Sequence, residues 1–501
     1  MNIMMLLEMA ADGLPDRTAI GSLDDGLSYR ELFDRSEAAA ARFLDADLEA
    51  VVLCDESSAA VPVALFGAAW AGVPYVPLNY RLAANDLLDL ATRCGRAHAV
   101  GDAASAELLD QLDAVNAEPT SSFMAVASPR AATTWSTNPD DVAVLLFTSG
   151  TTGVPKSAVL RHRHLVSYIL ASVEFMGAGV DEATLVSVPP YHIAGVASLL
   201  SSIYAGRRIV QLAKFDADDW IDTVEREGIT HAMVVPTMLT RIVDALETRG
   251  GDPILGLRSL SYGGGKMARP VLQRALELFP ITSFVNAYGL TETSSTITLL
   301  GPDEHRLAQY SDDPTEQHRL SSAGRALPGI DIEIRDDHGK PQAAGEVGEI
   351  FVRGEQVAGE YREQGSLLDD DGWFATRDGG YLDQDGYLFV QGRNDDVIIR
   401  GGENMSPGEI EEAILTHPNV RDVATIGVPS REWGEHVVAV IVAGAATPDP
   451  EDICALVRGR LRSSRVPAHV EFVDELPYNE TGKLLRRVLR DNYAHLGDAD
   501  G

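Results

Sequence analysis

From residue 140 to residue 289, short apolar runs alternate with segments whose apolar side chains recur at helical spacing. The runs at 141–147, 183–190, 207–212, 231–236, 257–264 and 281–289 read as strands, and the segments 193–205, 216–227, 237–248 and 268–279 as helices. Strands separated by about a dozen helical residues need crossover connections, so the pattern predicts a parallel sheet covered by helices. In such sheets the loops at the strand C-termini form the ligand crevice, and the unusual residues of this chain fall in those loops. Residues 59–78 carry no charge, but they are rich in Ala and hold Pro62, Pro74 and Pro77. A buried helix at 61–72 running into a strand at 74–78 fits them better than a membrane span.

The texture changes after Pro328. Short strands with Gly/Asp turns around 330–341, 346–355 and 385–393 suggest a small antiparallel subdomain. It changes again at 392–396. Beyond lie a helix (406–418), two strands (420–429 and 435–443), a helix (450–461) and a strand (469–473), enough for a separate α+β domain.

The 501 residues are 45% apolar, which supports several cores and excludes a disordered chain. Net charge is −34, so the global field repels nucleic acid and anionic membranes. Cys54, Cys94 and Cys454 are widely separated and read as reduced, mostly buried thiols of a cytosolic protein. Residues 1–13 lack a basic n-region and carry Glu8, so they make a poor signal peptide, and the C-terminal GDADG is not a peroxisomal address.

The segment 145–157, LLFTSGTTGVPKS, is the most informative. A buried strand runs straight into hydroxyls, glycines and a lysine, the groups that cradle phosphate oxygens. Pro155 stands where a Walker loop has its second glycine, and it has no N–H to donate. This is therefore a phosphate loop of another kind.

That loop resembles the signature of adenylate-forming enzymes: acyl-CoA synthetases, peptide-synthetase adenylation domains and luciferases. The family's other motifs follow in order: PPYHIAG (189–195), YGLTET (288–293), GWFATRD (372–378), GRNDDVIIRGGENMSPGEIE (392–411) and NETGK (479–483). The resemblance implies an α/β fold, with a large N-terminal domain of layered α/β sheets and a small β-barrel-like subdomain at 1–394. A small, mobile α+β C-terminal domain at 395–501 follows. It also implies the chemistry. A carboxylate attacks the α-phosphate of ATP, giving acyl-AMP and pyrophosphate, and a thiol then displaces AMP. Two unit charges at 4 Å repel by about 4 kcal/mol at an effective dielectric of 20, about three decades in rate, so Mg²⁺ and lysine must screen them.

By resemblance, Thr148, Ser149, Gly150, Thr151, Thr152, Gly153 and Lys156 hold the β/γ-phosphates. Thr291 contacts the α-phosphate, Glu292 positions Mg²⁺ and Tyr288 packs on adenine. Asp378 and Arg393 bind the ribose, and Lys483 reaches the bridging oxygen during adenylation. Asp395 is the hinge about which the small domain turns between half-reactions. Gly401, Gly402 and Trp433 match positions facing coenzyme A. Arg465, in a local basic run with Arg458, Arg460 and Arg462, is a candidate for its phosphates, a solvated helix face being the competing reading.

The acyl pocket is expected at His192, Ile193, Gly263, Gly264 and Gly289, with His192 either an aromatic gate or a packed histidine. Its segments are mainly apolar, PPYHIAG has no acidic residue to hold an α-ammonium, and the glycines at 263–265 would leave room for a bulky tail. These features suggest a fatty, alicyclic or aromatic acid rather than an amino acid. Two departures stand out: Arg377 and Ser157 occupy positions where glycine is common. The expected protein is a cytoplasmic acyl-CoA ligase using ATP, Mg²⁺ and CoA, with a homodimer left open. The rivals are an acyl-AMP ligase that loads a carrier protein, a luciferase-like oxygenase and a non-catalytic nucleotide-binding regulator.

Overall fold

The computed structural model describes residues 1–44, 47–125, 134–148, 155–401, 403–479 and 482–497. Two large sheets dominate. One runs, in spatial order, Arg325–Ala326, Ser295–Leu300, Ser283–Leu290, Ser259–Gly263, His231–Val234, Ala183–Val186, Arg208–Gln211, Thr18–Ile20 and Leu27–Ser28. Its six central strands, Ser283–Leu290 to Thr18–Ile20, pair in parallel and its outer strands are antiparallel. The other runs Gly365–Ser366, Glu360–Tyr361, Lys156–Arg161, Val142–Thr148, Tyr75–Pro77, Ala50–Cys54, Ala97–Gly101 and Val115–Pro119.

The strand at Val142–Thr148 therefore does not join the sheet formed by the later strands. It pairs with Tyr75–Pro77 on one side and, antiparallel, with Lys156–Arg161 on the other. Alternating apolar runs establish parallel strands but carry no record of which sheet each enters.

Between the sheets lie helices apolar on nearly every face. Ala60–Ala71 is buried along almost its whole length, and Ile193–Ala205 nearly so. An all-round apolar helix is stable only when packed on every side. The N-terminal helix Met4–Gly13 packs against both, burying Met4, Leu6, Leu7, Ala10 and Ala11 in the same core. Among the described residues, no helix is long and apolar enough to cross a membrane. Cys54, Cys94 and Cys454 form no disulfide, and burial pushes the Cys54 thiol up to about 11 and the Cys94 thiol up to about 12.

The antiparallel subdomain is a four-stranded sheet, Asp331–Arg335, Gly348–Arg353, Phe374–Leu382 and Leu388–Arg393, around Ile334, Ile350, Val352, Phe374 and Leu388. One turn of 3₁₀ helix, Asn394–Asp396, leads out of it into a different sheet. That last sheet holds Glu403–Met405, Ile398–Arg400, Gly434–Ala443, Val420–Ser430 and the parallel strand His469–Val473. Asp396 is held from this side, by Arg490 at 3.0 Å and Arg486 at 3.7 Å.

Candidate active site

Among the parallel strands of the first sheet, those ending at residues 234, 263 and 290 carry the expected site loops, and the turn after the last of them meets strand Lys156–Arg161 of the second sheet. Thr148 closes Val142–Thr148 and pairs with Lys156, the first residue of the returning strand. Ser149, Gly150, Thr151, Thr152 and Gly153, expected to cradle phosphate, lie outside the described residues, as does Gly402. Both strands flanking them are in place, so the chain leaves the sheet at Thr148 and re-enters it at Lys156.

Opposite this hairpin, Ser283–Leu290 ends in a 3₁₀ turn, Thr291–Thr293. The turn is built by Thr293, fully buried, whose hydroxyl accepts the Leu290 N–H at 2.9 Å and donates to backbone oxygen. The N–H groups of Ala358 and Gly359 donate to the Glu292 carbonyl at 2.9 and 3.0 Å. Glu292 is thus fixed through its backbone, and its carboxylate accepts a hydrogen bond from the Tyr361 hydroxyl. Burial, and then the Glu292 charge, push the Tyr361 pKa upward, so the phenol remains a donor. The same hydroxyl is hydrogen-bonded to Thr148, and the Lys156 ammonium lies 5.7 Å from the Tyr361 ring centre and 3.3 Å from Gln364 Oε1.

Sequence reasoning missed Tyr361. Its strand, Glu360–Tyr361, joins the phosphate hairpin through the pairing Tyr361↔Ala158 and the Arg161–Glu360 ion pair at 2.6 Å. The available signal was an aromatic hydroxyl inside the otherwise charged and polar stretch GEYREQG. Ser157, one of the two departures, serves this joint. Its N–H and hydroxyl donate to Glu363 at 3.0 and 2.9 Å, and Arg93 holds the same carboxylate at 2.5 Å.

A second cluster adjoins the first. Asp378 is buried, accepts from the Tyr288 hydroxyl at 2.7 Å, and pairs with Arg393 Nε at 2.8 Å. Burial raises the Asp378 carboxyl, opposed by Arg393, the Tyr288 bond and Lys483. Tyr288 is pushed far up by burial and by Asp378. Its hydroxyl is therefore committed to the carboxylate, while its side chain packs against the core of the antiparallel subdomain.

Lys483 comes from the small domain. Asn479 closes its turn: the Lys483 N–H donates to Asn479 Oδ1 at 2.8 Å and the Gly482 N–H to the Asn479 carbonyl at 2.9 Å. Gly482 has a left-handed backbone and seats against Val235 and Thr237 at the start of helix Pro236–Thr248, where a Cβ would come within 2.9 Å of Thr237 Oγ1. The ammonium keeps solvent contact, but the surrounding walls desolvate it. That desolvation, helped by Arg393, lowers its pKa, against the attraction of Asp378, Asp396 and Glu292. The late lysine and the two carboxylates thus share one electrostatic site.

Arg377 is exposed and does not crowd this site. Its backbone sits at φ 62°, and its N–H donates to Glu349 Oε1 at 3.1 Å. The left-handed backbone gives a physical reason for glycine at this position.

On the acid side, His192 caps helix Ile193–Ala205, its Nδ1 accepting the Ala194 N–H at 3.2 Å. Burial lowers its pKa to about 4, so at neutral pH the ring is uncharged with the proton on Nε2. Ile193 is buried behind it. Gly263 and Gly289 are small for a reason other than tail space. A Cβ at Gly263 would collide with the Ala287 carbonyl, and one at Gly289 with the Ser295 carbonyl. Gly264 is exposed beyond the strand end.

A separate group occupies the small domain. Gly401 N–H donates to the Trp433 carbonyl at 2.7 Å, and the indole, 45% exposed, lies 3.4 Å from where a Gly401 Cβ would be. Arg465 is held by Glu403 at 2.5 Å and Glu409 at 3.5 Å, so in this arrangement its charge is already balanced within the domain. Asp395 is exposed, in the single turn between the two sheets.

Residues 7–362 match the model of the AMP-binding enzyme family, and residues 409–483 match the AMP-binding enzyme C-terminal domain. The chain belongs to the AMP-binding enzyme family. It is 32% identical to the 2-succinylbenzoate–CoA ligase of Bacillus licheniformis, over 96% of this chain and 98% of that one. It is equally 32% identical to the fatty acid–[acyl-carrier-protein] ligase ScoC of Streptomyces coeruleorubidus, over 86% and 84%. The o-succinylbenzoate CoA synthetase of Bacillus subtilis, solved with its acyl-adenylate, superposes with a TM-score of 0.83 at 27% identity, covering 97% and 98% of the two chains. The same enzyme solved with ATP and magnesium gives 0.83 at 28% identity, over 97% and 99%. The chain is an AMP-forming acid–thiol ligase of the adenylate-forming superfamily, with that superfamily's large N-terminal and small C-terminal domains.

Proposed function

We propose that this enzyme activates a hydrophobic carboxylic acid as its acyl-adenylate and passes the acyl group to coenzyme A. The observation that carries the reading is the seating of Gly482 against Val235 and Thr237, which brings Lys483, from the small domain, within electrostatic reach of Glu292, Asp378 and Arg393. A regulator that had lost catalysis has no need of that convergence.

ATP, magnesium and CoA are the reactants and metal of the reaction. Magnesium in nucleotide sites takes one or two carboxylates and otherwise phosphate and water, so the carboxylate of Glu292, a residue whose backbone carbonyl is held by the Ala358 and Gly359 N–H groups and whose side chain accepts from Tyr361, is a fitting donor. When bound, the ion neutralises phosphate charge. In our reading the hydroxyls around 148–153 and Lys156 hold the β/γ-phosphates, Thr291 the α-phosphate, Tyr288 the adenine, and Asp378 with Arg393 the ribose. The substrate carboxylate oxygen attacks the α-phosphorus, and the bond to pyrophosphate breaks with Lys483 beside the leaving oxygen. The small domain, residues 395–501, then turns about Asp395. A CoA thiol, guided by Gly401, Gly402, Trp433 and Arg465, attacks the acyl carbon and AMP leaves. His192, Ile193, Gly263, Gly264 and Gly289 border the acid. The neutral His192 and the absence of a carboxylate in 189–195 favour an apolar acid without an α-ammonium. We place this reaction in the cytoplasm.

The test is acid-dependent pyrophosphate–ATP exchange across a panel of carboxylic acids, followed by identification of the nucleotide product. AMP with an acyl-CoA supports the reading; ADP sinks it. Similarity to ScoC singles out carrier-protein loading as the competing acceptor. Parallel assays with CoA and with a phosphopantetheinylated carrier decide between them.

A further inference from the structure

Beside the segment that carries His192 lies a small, partly open cavity of about 10 Å³, space for a single water-sized group. It sits between the two large sheets, walled by helices Ala60–Ala71 and Ile193–Ala205 and by the end of strand Ala183–Val186. Pro190 and Gly195, which bracket His192 in the chain, line it, and the Gly195 N–H donates to the His192 carbonyl at 2.9 Å. The cavity is thus attached to the expected acid gate.

Its lining is apolar except for Tyr75, Ser57 and Gln211, and none of its residues is charged. Tyr75 is fully buried on the strand Tyr75–Pro77, and its hydroxyl has no hydrogen-bond partner among the described residues. Burial drives its pKa far up, so it is a neutral O–H. A buried hydroxyl left unsatisfied costs about 1–3 kcal/mol, and proteins rarely keep one without use. A phenylalanine would fill the strand equally well.

We propose that Tyr75 is a specificity-determining residue for the acid, donating a hydrogen bond to a neutral oxygen at the substrate's distal end. Ketones, hydroxyls, ethers and amides satisfy the site. A second carboxylate does not, because no cation lines the cavity to balance it. The proposal rests on the ligase reading above and narrows its substrate to monocarboxylic acids with an uncharged distal oxygen.

The experiment uses the full-length enzyme and Tyr75→Phe. Pyrophosphate–ATP exchange is measured with pairs of alkanoic and arylalkanoic acids matched in skeleton, one carrying a distal hydroxyl or ketone and the other not. The wild type is expected to favour the oxygenated member of at least one pair by about tenfold to a hundredfold in kcat/KM. In Tyr75→Phe that preference collapses towards one, through loss with the oxygenated acid rather than with its plain counterpart. The melting temperature of the free variant is expected to stay level or rise, since an unsatisfied group has been removed. Exchange without a distal preference, or a preference that survives in Tyr75→Phe, overturns the proposal while leaving the ligase reading intact. A free variant that melts several degrees lower also overturns it, because the hydroxyl then has a resident partner such as a buried water. Exchange with no acid overturns the ligase reading and the proposal together.

Discussion

The Tyr361 hydroxyl donates to the carboxylate of Glu292, joining two segments far apart in sequence at the entrance to the nucleotide cleft. Tyr361 belongs to a two-residue strand on the second sheet, and Glu292 follows a strand of the first. Their hydrogen bond therefore ties the phosphate hairpin of one sheet to the expected metal ligand at the end of the other.

Tyr361→Phe keeps the ring beneath Lys156 and removes the hydroxyl shared by Glu292 and Thr148. A hydrogen bond to a charged group contributes about 1.5–3 kcal/mol. The variant is expected to lose about tenfold to a hundredfold in the rate of acid-dependent exchange and to need more Mg²⁺ for half-maximal rate. KM for the acid should stay put. Magnesium titrations of both proteins check this, and an unchanged requirement would show that the bond does not orient Glu292.

Much of the architecture was readable in advance because its strands and helices are strongly patterned. The helix expected at 193–205 is the observed Ile193–Ala205, and the strands expected at 420–429, 435–443 and 469–473 lie within a residue or two of those observed, whereas the short strands Ile398–Arg400 and Glu403–Met405 were not expected. What escaped reading was whatever depends on pairing rather than pattern. Strand Lys156–Arg161 follows a proline and begins with a lysine, so it offered no apolar run, yet it sets the register of the phosphate hairpin. Tyr361 gains its meaning only from the strand it pairs with. Gly263 looked like open space in a pocket but is a point of contact between neighbouring backbones.

Lys483 gives the site a pH signature. Its desolvated ammonium lies below the usual lysine range, so the cation that would neutralise the leaving group is lost at lower pH than for a free lysine. The basic limb of kcat/KM for adenylation is then expected below pH ~10.4. Lys483→Arg, which does not titrate there, should retain some rate and lose that limb. Lys483→Ala should lower exchange by at least about a hundredfold, while thioester formation from supplied acyl-adenylate continues. Equal damage to both half-reactions would place the lysine elsewhere in the cycle.

Arg377 offers a stabilising substitution. A non-glycine residue in the left-handed region costs roughly 1–2 kcal/mol, partly offset by the extra chain entropy that glycine loses on folding. Arg377→Gly is expected to gain about 0.5–1 kcal/mol and raise the melting temperature by a degree or two. The side chain is exposed and its charge lies beside Glu349, so KM for ATP should move less than twofold. A lower melting point would show that the guanidinium makes a stabilising contact worth more than the strain.

The single turn at Asn394–Asp396 carries the connection between the large and small domains. A rotation at Asp395 itself has few bonds to break: an Arg490 nitrogen lies 3.5 Å from its carbonyl, while Asp396 stays tied to Arg490 and Arg486. Asp395→Pro fixes φ near −65°. Exchange in this variant should remain within a few-fold of wild type, because Lys483 is already seated. Transfer from acyl-adenylate to CoA should fall by about a hundredfold or more. If both steps survive, the turn is not the hinge.

In our reading the arrangement seen is the adenylating one, and charge at the domain boundary also holds it. Lys266, in the loop after Ser259–Gly263, reaches Glu412 at 3.7 Å and the Gly408 carbonyl at 3.2 Å, and His318 lies 3.9 Å from the other oxygen of Glu412. Both partners of the lysine pair are about 40% exposed, so the pair contributes at most about 1 kcal/mol. An energy of that size cannot lock a domain, but it shifts a two-state balance about fivefold. Glu412→Lys places like charges together and should weaken the arrangement that seats Lys483. Exchange is expected to fall about threefold to tenfold, most clearly at low ionic strength, while CoA-dependent turnover of supplied acyl-adenylate holds or rises. Raising the salt from 20 mM to 300 mM should narrow the gap between variant and wild type, because exposed pairs are screened over about a Debye length. A loss that is equal in both half-reactions and insensitive to salt would mean that Glu412 supports the fold of the small domain rather than its position.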